Sequence, residues 1–212
     1  MKNAETPAIK VALFGALSSF GSALMAELLR RQHEVIAIVD DPDTLKPRRR
    51  LRIKRGNLFD TERVCEGIAG CSVVICLLEP KATPAALVGL TPEAQLIATH
   101  TLLTCMDRTH LKRLILVADI HLLHGQPLPD YQDPDLDQFQ ASALIVDALR
   151  KSAAEWTLVS APEGIAGVGI LHYSPTGHTQ VVSQAVLERV ANGIAEEMRL
   201  NLHVRQYVNF VV

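Results

Sequence analysis

One pattern governs this chain: short runs rich in Val, Ile and Leu alternate with longer segments whose apolar residues recur at helical spacing. The runs at residues 9–14, 34–39, 51–55, 72–78, 114–118, 156–160 and 206–212 read as strands. The segments at 19–31, 61–68, 91–107, 136–151 and 183–199 read as helices. The run at 72–78 is nearly all apolar, as expected of a strand covered on both faces. Leu24, Leu28 and Leu29 share one face of the first helix. Thr91-Pro92-Glu93 combines a capping hydroxyl, a proline at the first helical position and an early acid. Asp60 and Ser183 stand where they can cap the helices that follow them. Strands separated by helices of this length need crossovers, and right-handed βαβ crossovers build a parallel sheet with helices on both faces. The expected fold is α/β, a doubly wound parallel sheet.

Composition narrows the class further. The 212 residues are 48% hydrophobic and 21% charged, which excludes a disordered or fibrous chain. No internal repeat, low-complexity stretch or linker separates two cores, so residues 1–212 are expected to form a single domain. The Gly-rich segment 161–178 is expected to form a small substrate-facing cap in the C-terminal part. A formal charge of −2 argues against a nucleic-acid binder. The longest apolar runs fall far below the roughly 18 residues that span a bilayer, and the polar first eight residues contain no signal core. A cytoplasmic protein without membrane or nucleic-acid partners is expected. Cys65, Cys71, Cys76 and Cys105 show no CxxC spacing and are expected to be reduced thiols.

The first strand runs into Gly15-Ala16-Leu17-Ser18-Ser19-Phe20-Gly21 and then directly into a helix. A turn of this kind needs glycine where the backbone reverses, here Gly15. It also needs a small residue where the chain approaches a pyrophosphate, and a further glycine, here Gly21, for close packing of the helix. Free N–H groups and the positive end of the helix dipole then face the phosphates. Gly15, Leu17, Ser18, Ser19, Phe20 and Gly21 are therefore the candidate dinucleotide-binding residues. Ser18 stands at the middle position, where glycine is usual; its hydroxyl either donates to a phosphate oxygen or holds the ligand away.

Asp40, 19 residues beyond Gly21, ends the second strand where a carboxylate would accept from ribose hydroxyls and repel a 2′-phosphate. Asp41 and Asp43 close by leave an ordinary acidic turn as the competing reading. Lys46, Arg48, Arg49, Arg50, Arg52, Lys54 and Arg55 form the densest charge cluster of the chain. Arg52 and Lys54 alternate with Leu51 and Ile53, the pattern of a solvated edge strand rather than of a 2′-phosphate site. No aromatic residue interleaves these cations, so a nucleic-acid patch is disfavoured. The balance falls slightly toward NAD over NADP.

Four segments in order give the chain a family resemblance. They are the Gly15 to Gly21 turn; Arg55-Gly56-Asn57-Leu58-Phe59-Asp60; Glu155-Trp156-Thr157-Leu158-Val159-Ser160-Ala161-Pro162; and His203-Val204-Arg205-Gln206-Tyr207. The sequence resembles the NADH-flavin reductases, a branch of the NmrA-like, atypical short-chain dehydrogenase/reductase group. The resemblance implies a Rossmann domain that binds NAD(P) at the carboxyl ends of its strands. It places Asn57 and Leu58 by the adenine, and Leu77 and Leu78 along the cofactor. Asn57 stands where the family usually has Asp, and its amide both donates and accepts.

The Tyr-x-x-x-Lys pair of typical short-chain dehydrogenases is absent: Asp135 follows Tyr131 at that spacing, and Gly177 follows Tyr173. Ala118-Asp119 stands where many relatives carry Ser or Gly-Gly. Without that tyrosine, alcohol–ketone interconversion lacks its acid, whereas flavin reduction needs only hydride delivery and a proton from water. Two functions follow as expectations: an NAD(P)H-dependent reductase serving a flavin or another flat conjugated small-molecule acceptor, or a non-catalytic NAD(P)-binding sensor with a protein partner.

Other candidate groups carry less. His121 and His124, and His172 and His178, lack a carboxylate partner at ligand spacing, so no metal site is expected. His121 lies at the expected active edge, where a proton-donor role is conceivable, but no catalytic residue is assigned. No Gly-x-Ser-x-Gly elbow or Walker A lysine occurs. Glu79 reads as a loop cap before Pro80, and Trp156 as a core anchor.

Overall fold

A computed structural model describes residues 8–78, 90–118, 136–160 and 184–209. Seven strands, β1 (Lys10–Phe14), β2 (Glu34–Val39), β3 (Leu51–Arg55), β4 (Val73–Leu78), β5 (Arg113–Ala118), β6 (Glu155–Ser160) and β7 (Gln206–Asn209), form one sheet. They alternate with helices α1 (Ser19–Arg30), α2 (Thr61–Ile68), α3 (Pro92–Arg108), α4 (Leu136–Lys151) and α5 (Gln184–Leu200). Every pairing is parallel and the order is β3-β2-β1-β4-β5-β6-β7, a Rossmann-type doubly wound α/β sheet. A short 3-10 turn at Pro42–Thr44 was not foreseen. The expected cap at 161–178 and the residues after Asn209 lie outside the described residues, as do Glu79, Pro80, Ser183 and the loop that holds His121 and His124.

The helices start where local chemistry starts them. Ser18, Asp60 and Thr91 each accept from a backbone N–H of the first turn, satisfying donors the helix leaves orphaned. Successive strand residues point to opposite faces, which divides the core into two layers. Phe14, Ile38, Cys76, Leu78, Leu116 and Trp156 pack against α2, α3 and α4, while Leu13, Ile75 and Leu77 pack against Leu24 and Leu28 of α1 and Ile194 of α5. Each fully buried aliphatic side chain of this kind contributes about 1.5–3 kcal/mol. Trp156 is buried and serves as a core anchor.

Strand β3 is the sheet edge, with Arg52 and Arg55 exposed. Lys54 turns back: its Nζ donates to the carbonyls of Glu66 (2.9 Å) and Gly67 (3.4 Å), which closes the last turn of α2.

The cysteine expectation is corrected. Cys65 of α2 and Cys105 of α3 are joined in a disulfide, while Cys71 and Cys76 are free. Helices α2 and α3 pack side by side on one face of the sheet. That brings two positions 40 residues apart to a Cα separation of 4.8 Å, a proximity that exists only in the assembled layer and leaves no trace in cysteine spacing. Burial pushes both free thiols above their usual range.

The amino ends of β5 and β6 hold a buried polar cluster. Arg113 donates to Glu197 Oε1 (2.7 Å), Asn201 Oδ1 (2.7 Å) and the Glu155 carbonyl (2.8 Å). Glu197 also receives the His203 N–H (3.1 Å), and its Oε2 lies 2.7 Å from His203 Nδ1. Thr157 Oγ1 lies 3.0 Å from Glu197 Oε1 and 2.9 Å from the His203 carbonyl. Arg205 donates to the carbonyls of Arg150 (2.7 Å) and Ser152 (3.1 Å) at the end of α4. Two of the four family-like segments, Glu155-Trp156-Thr157 and His203-Val204-Arg205, thus build the sheet edge remote from the glycine turn.

Candidate functional site

Strand β1 has β2 on one side and β4 on the other, so chain direction across the sheet reverses at β1 and β4. Loops leaving the carboxyl ends on either side of that reversal diverge and leave a crevice. A cleft of about 360 Å³ lies there, lined by Gly15, Ser18, Asp40, Asn57, Phe59 and Leu77 among others.

Gly15 makes the reversal. Its φ is +82°, and a Cβ there would lie 2.8 Å from Leu77 Cβ and 3.2 Å from the Leu77 carbonyl oxygen. Glycine is required on both grounds. The chain then tightens on the Gly15 carbonyl, which accepts from the Ser18 N–H (3.2 Å) and from the Ser18 hydroxyl (3.1 Å). The same hydroxyl accepts from the Gly21 N–H at 2.9 Å. Ser18 is therefore the N-cap of α1, with φ −70° and ψ 163°, a conformation that needs no glycine. The N–H groups of Leu17 and Phe20 find no acceptor among the described residues. With the dipole of α1 behind them, they leave the turn able to receive an anion.

Asp40 directly follows β2 and lines the cleft. Asn57, in the loop after β3, donates from Nδ2 to Asp40 Oδ1 (2.8 Å) and accepts the Phe59 N–H on Oδ1 (2.9 Å). The neighbouring acid is used differently: Asp41 Oδ1 accepts from the Asp43 N–H (3.1 Å) and caps the 3-10 turn. None of the seven clustered cations lines the cleft.

The eleven candidate residues divide cleanly. Gly15, Leu17, Ser18, Asp40, Asn57, Leu58 and Leu77 come together around the cleft. Ser19, Phe20 and Gly21 begin α1 without lining it; the Phe20 ring is buried beside Leu24. Leu78 does not line it either; its side chain is buried in the core beneath α2, α3 and α4. Sequence reasoning did not select Phe14, Ala16, Ile38, Val39, Gly56, Phe59 and Leu90, which also line it. Phe59 had a signal: an aromatic two residues beyond Asn57 in a loop leaving a strand's carboxyl end. It is 50% exposed and Leu17 52%, so the cleft has apolar groups that solvent reaches.

The residues present suit a dinucleotide. The cradle at Gly15 is one a Cβ would fill, uncommitted N–H groups stand at a helix start, and a carboxylate directly follows the second strand. Among the described residues no group of three or more His, Cys, Asp or Glu is arranged to hold a metal, and no helix is long and apolar enough to cross a membrane.

Comparison with known proteins agrees with this geometry. The sequence profile of a family described as NAD(P)H-binding matches residues 15–192. Among solved structures, a candidate epimerase from Bacteroides thetaiotaomicron aligns with a TM-score of 0.68 at 20% identity, over 96% of each chain. A short-chain dehydrogenase/reductase from Veillonella parvula, solved in complex with NADP, gives 0.65 at 15%, over 95% of this chain and 93% of that one. A candidate NADH-flavin reductase from Streptococcus pneumoniae gives 0.62 at 21%, over 95% and 98%. At these identities the likeness is one of fold. No curated sequence matches at a significant level.

Proposed function

Because the chain belongs to the NAD(P)H-binding family, we propose that it is an NAD(P)H-dependent reductase whose acceptor is a small, flat, conjugated molecule of the flavin type. The observation that carries the cofactor half is the cleft itself, which joins the Gly15 reversal, the start of α1 and the Asp40 carboxylate. In this reading the Leu17 N–H and the amino end of α1 hold the pyrophosphate, and Asp40 accepts from the adenosine ribose. Leu58 and Phe59 flank the adenine, and Leu77 lies along the dinucleotide. NAD is favoured over NADP, because a carboxylate directly follows β2 and none of the clustered cations lines the cleft.

The reduced nicotinamide, when bound, supplies a hydride. What the chain supplies is placement: a tight turn, a held carboxylate and the apolar side chain of Leu77 on β4. The absence of Tyr-x-x-x-Lys supports an acceptor that takes hydride without a protein acid. Likeness in fold to the S. pneumoniae protein supports the flavin class.

The test mixes purified protein with free flavin and NADH or NADPH under anaerobic conditions and follows the near-ultraviolet absorbance of the nicotinamide. Loss of absorbance well above the rate without protein is expected, faster with NADH. Tight dinucleotide binding with no turnover on flavins or quinones would overturn the reductase reading and leave a sensor.

A further inference from the structure

The placement of Asn57 has a use beyond contact with an adenine ring. Its side chain is committed at both ends: Oδ1 takes the Phe59 N–H at 2.9 Å, and Nδ2 donates to Asp40 Oδ1 at 2.8 Å. The Phe59 bond fixes which end of the amide is which, because a backbone N–H can only be met by the carbonyl oxygen. The amide nitrogen is thereby aimed at Asp40, 17 residues earlier in the chain. Both side chains are exposed. An exposed carboxylate at a strand end would otherwise sample several rotamers, and ordering it on binding would cost free energy. The hydrogen bond holds one oxygen, and Asp40 Oδ2 has no partner among the described residues.

Resting on the dinucleotide reading above, we infer that Asn57 is a positioning residue for cofactor choice: it holds the Asp40 carboxylate at the cleft so that NAD is accepted and NADP is refused. A held carboxylate offers its free oxygen to the ribose diol with little ordering left to do. It also keeps its negative charge where a 2′-phosphate would have to sit, so the repulsion cannot be relieved by rotation. Asp41 cannot substitute, because its carboxylate caps the adjacent 3-10 turn.

Two variants separate this role from local structure. Asn57→Ala removes both bonds. Asn57→Ser keeps a short acceptor for the Phe59 N–H but cannot reach Asp40, so it preserves the turn while releasing the carboxylate. Calorimetric titration of the full chain with NADH and NADPH should show wild-type protein preferring NADH. Either variant should lose about 3- to 10-fold in NADH affinity, the worth of one net hydrogen bond. NADPH affinity should hold or rise, so the preference shrinks. In an Asp40→Ala background, Asn57→Ser should move the preference by less than about twofold, since there is no carboxylate left to position. An unchanged preference in folded Asn57→Ser, or an equal change in the Asp40→Ala background, overturns the inference. Equal wild-type affinity for both nucleotides overturns it while leaving the family reading intact. Wild-type protein that binds neither overturns both.

Discussion

The carbonyl oxygen of Gly15 occupies the space that a side chain on Gly21 would need: a Cβ built there would lie 1.9 Å from it. The two glycines are thus one device. Gly15 reverses the chain at φ +82°, and Gly21 lets the first turn of α1 sit directly on the reversed carbonyl. Ser18 donates to that carbonyl from both its backbone and its hydroxyl.

Gly21→Ala should therefore be among the most damaging methyl additions possible in this chain. The obstacle is backbone, so relief requires moving the helix off the turn, at a cost of about 3 kcal/mol or more. Gly15→Ala meets the Leu77 Cβ at 2.8 Å and a φ that L-residues resist, adding about 1–2 kcal/mol for the backbone alone. Denaturant titration by circular dichroism checks both. Under the dinucleotide reading, whatever fraction of Gly15→Val folds should bind no NADH by calorimetry, because its branched side chain enters the cleft.

Ser18→Ala should separate stability from binding. The hydroxyl is spent on the Gly21 N–H and the Gly15 carbonyl, so its loss should cost about 1 kcal/mol, the usual worth of an N-cap. Nucleotide affinity should change by less than about threefold, since the pyrophosphate in this reading meets backbone N–H groups. A tenfold loss of affinity at unchanged stability would instead make the hydroxyl a phosphate donor.

The disulfide makes a countable prediction. Alkylation in denaturant without reductant, followed by mass spectrometry, should label Cys71 and Cys76 and leave Cys65 and Cys105 unlabelled. Reduction, or Cys65→Ala, should lower stability by about 2–4 kcal/mol, because the bridge closes a 40-residue loop in the unfolded chain. Four labelled cysteines would refute the bridge.

What the sequence made legible was whatever local chemistry decides alone. The strand runs, the capping residues Asp60 and Thr91, and the edge character of Arg52 are all local signals, and they match the sheet and its helices. Illegible were relationships that exist only after the layers assemble. The Cys65–Cys105 pair depends on how α2 lies beside α3. Leu77 and Leu78 looked equivalent as neighbours in an apolar run, but they fall in different core layers and only Leu77 lines the cleft. The Ser18 hydroxyl had two possible uses in sequence, and its distances to Gly21 and Gly15 show it engaged within the turn. The His203 segment looked family-like without indicating where it sat, since its partners Glu197 and Thr157 come from other elements.

That segment carries the last prediction, which concerns acid. Burial alone would raise the carboxyl pKa of Glu197. The side-chain and backbone hydrogen bonds from His203, the Thr157 hydroxyl and the charge of Arg113 outweigh it and hold the pKa below its ordinary value near 4.5. A carboxylate whose pKa is depressed in the folded state contributes stability that is present above the unfolded value and is lost as pH falls through the folded one. Glu197→Gln should cost about 3–5 kcal/mol at neutral pH, because it leaves the buried Arg113 guanidinium without its counter-charge. The gap between wild type and variant should then narrow once pH drops below about 4.5, as wild-type Glu197 takes up its own proton. Denaturant midpoints measured from pH 7 to pH 3 test this: a gap that stays constant across the range would mean that Glu197 contributes through packing and not through charge. Because the cluster lies at the amino ends of β5 and β6, away from the cleft, folded Glu197→Gln should still bind NADH with wild-type affinity if the dinucleotide reading holds.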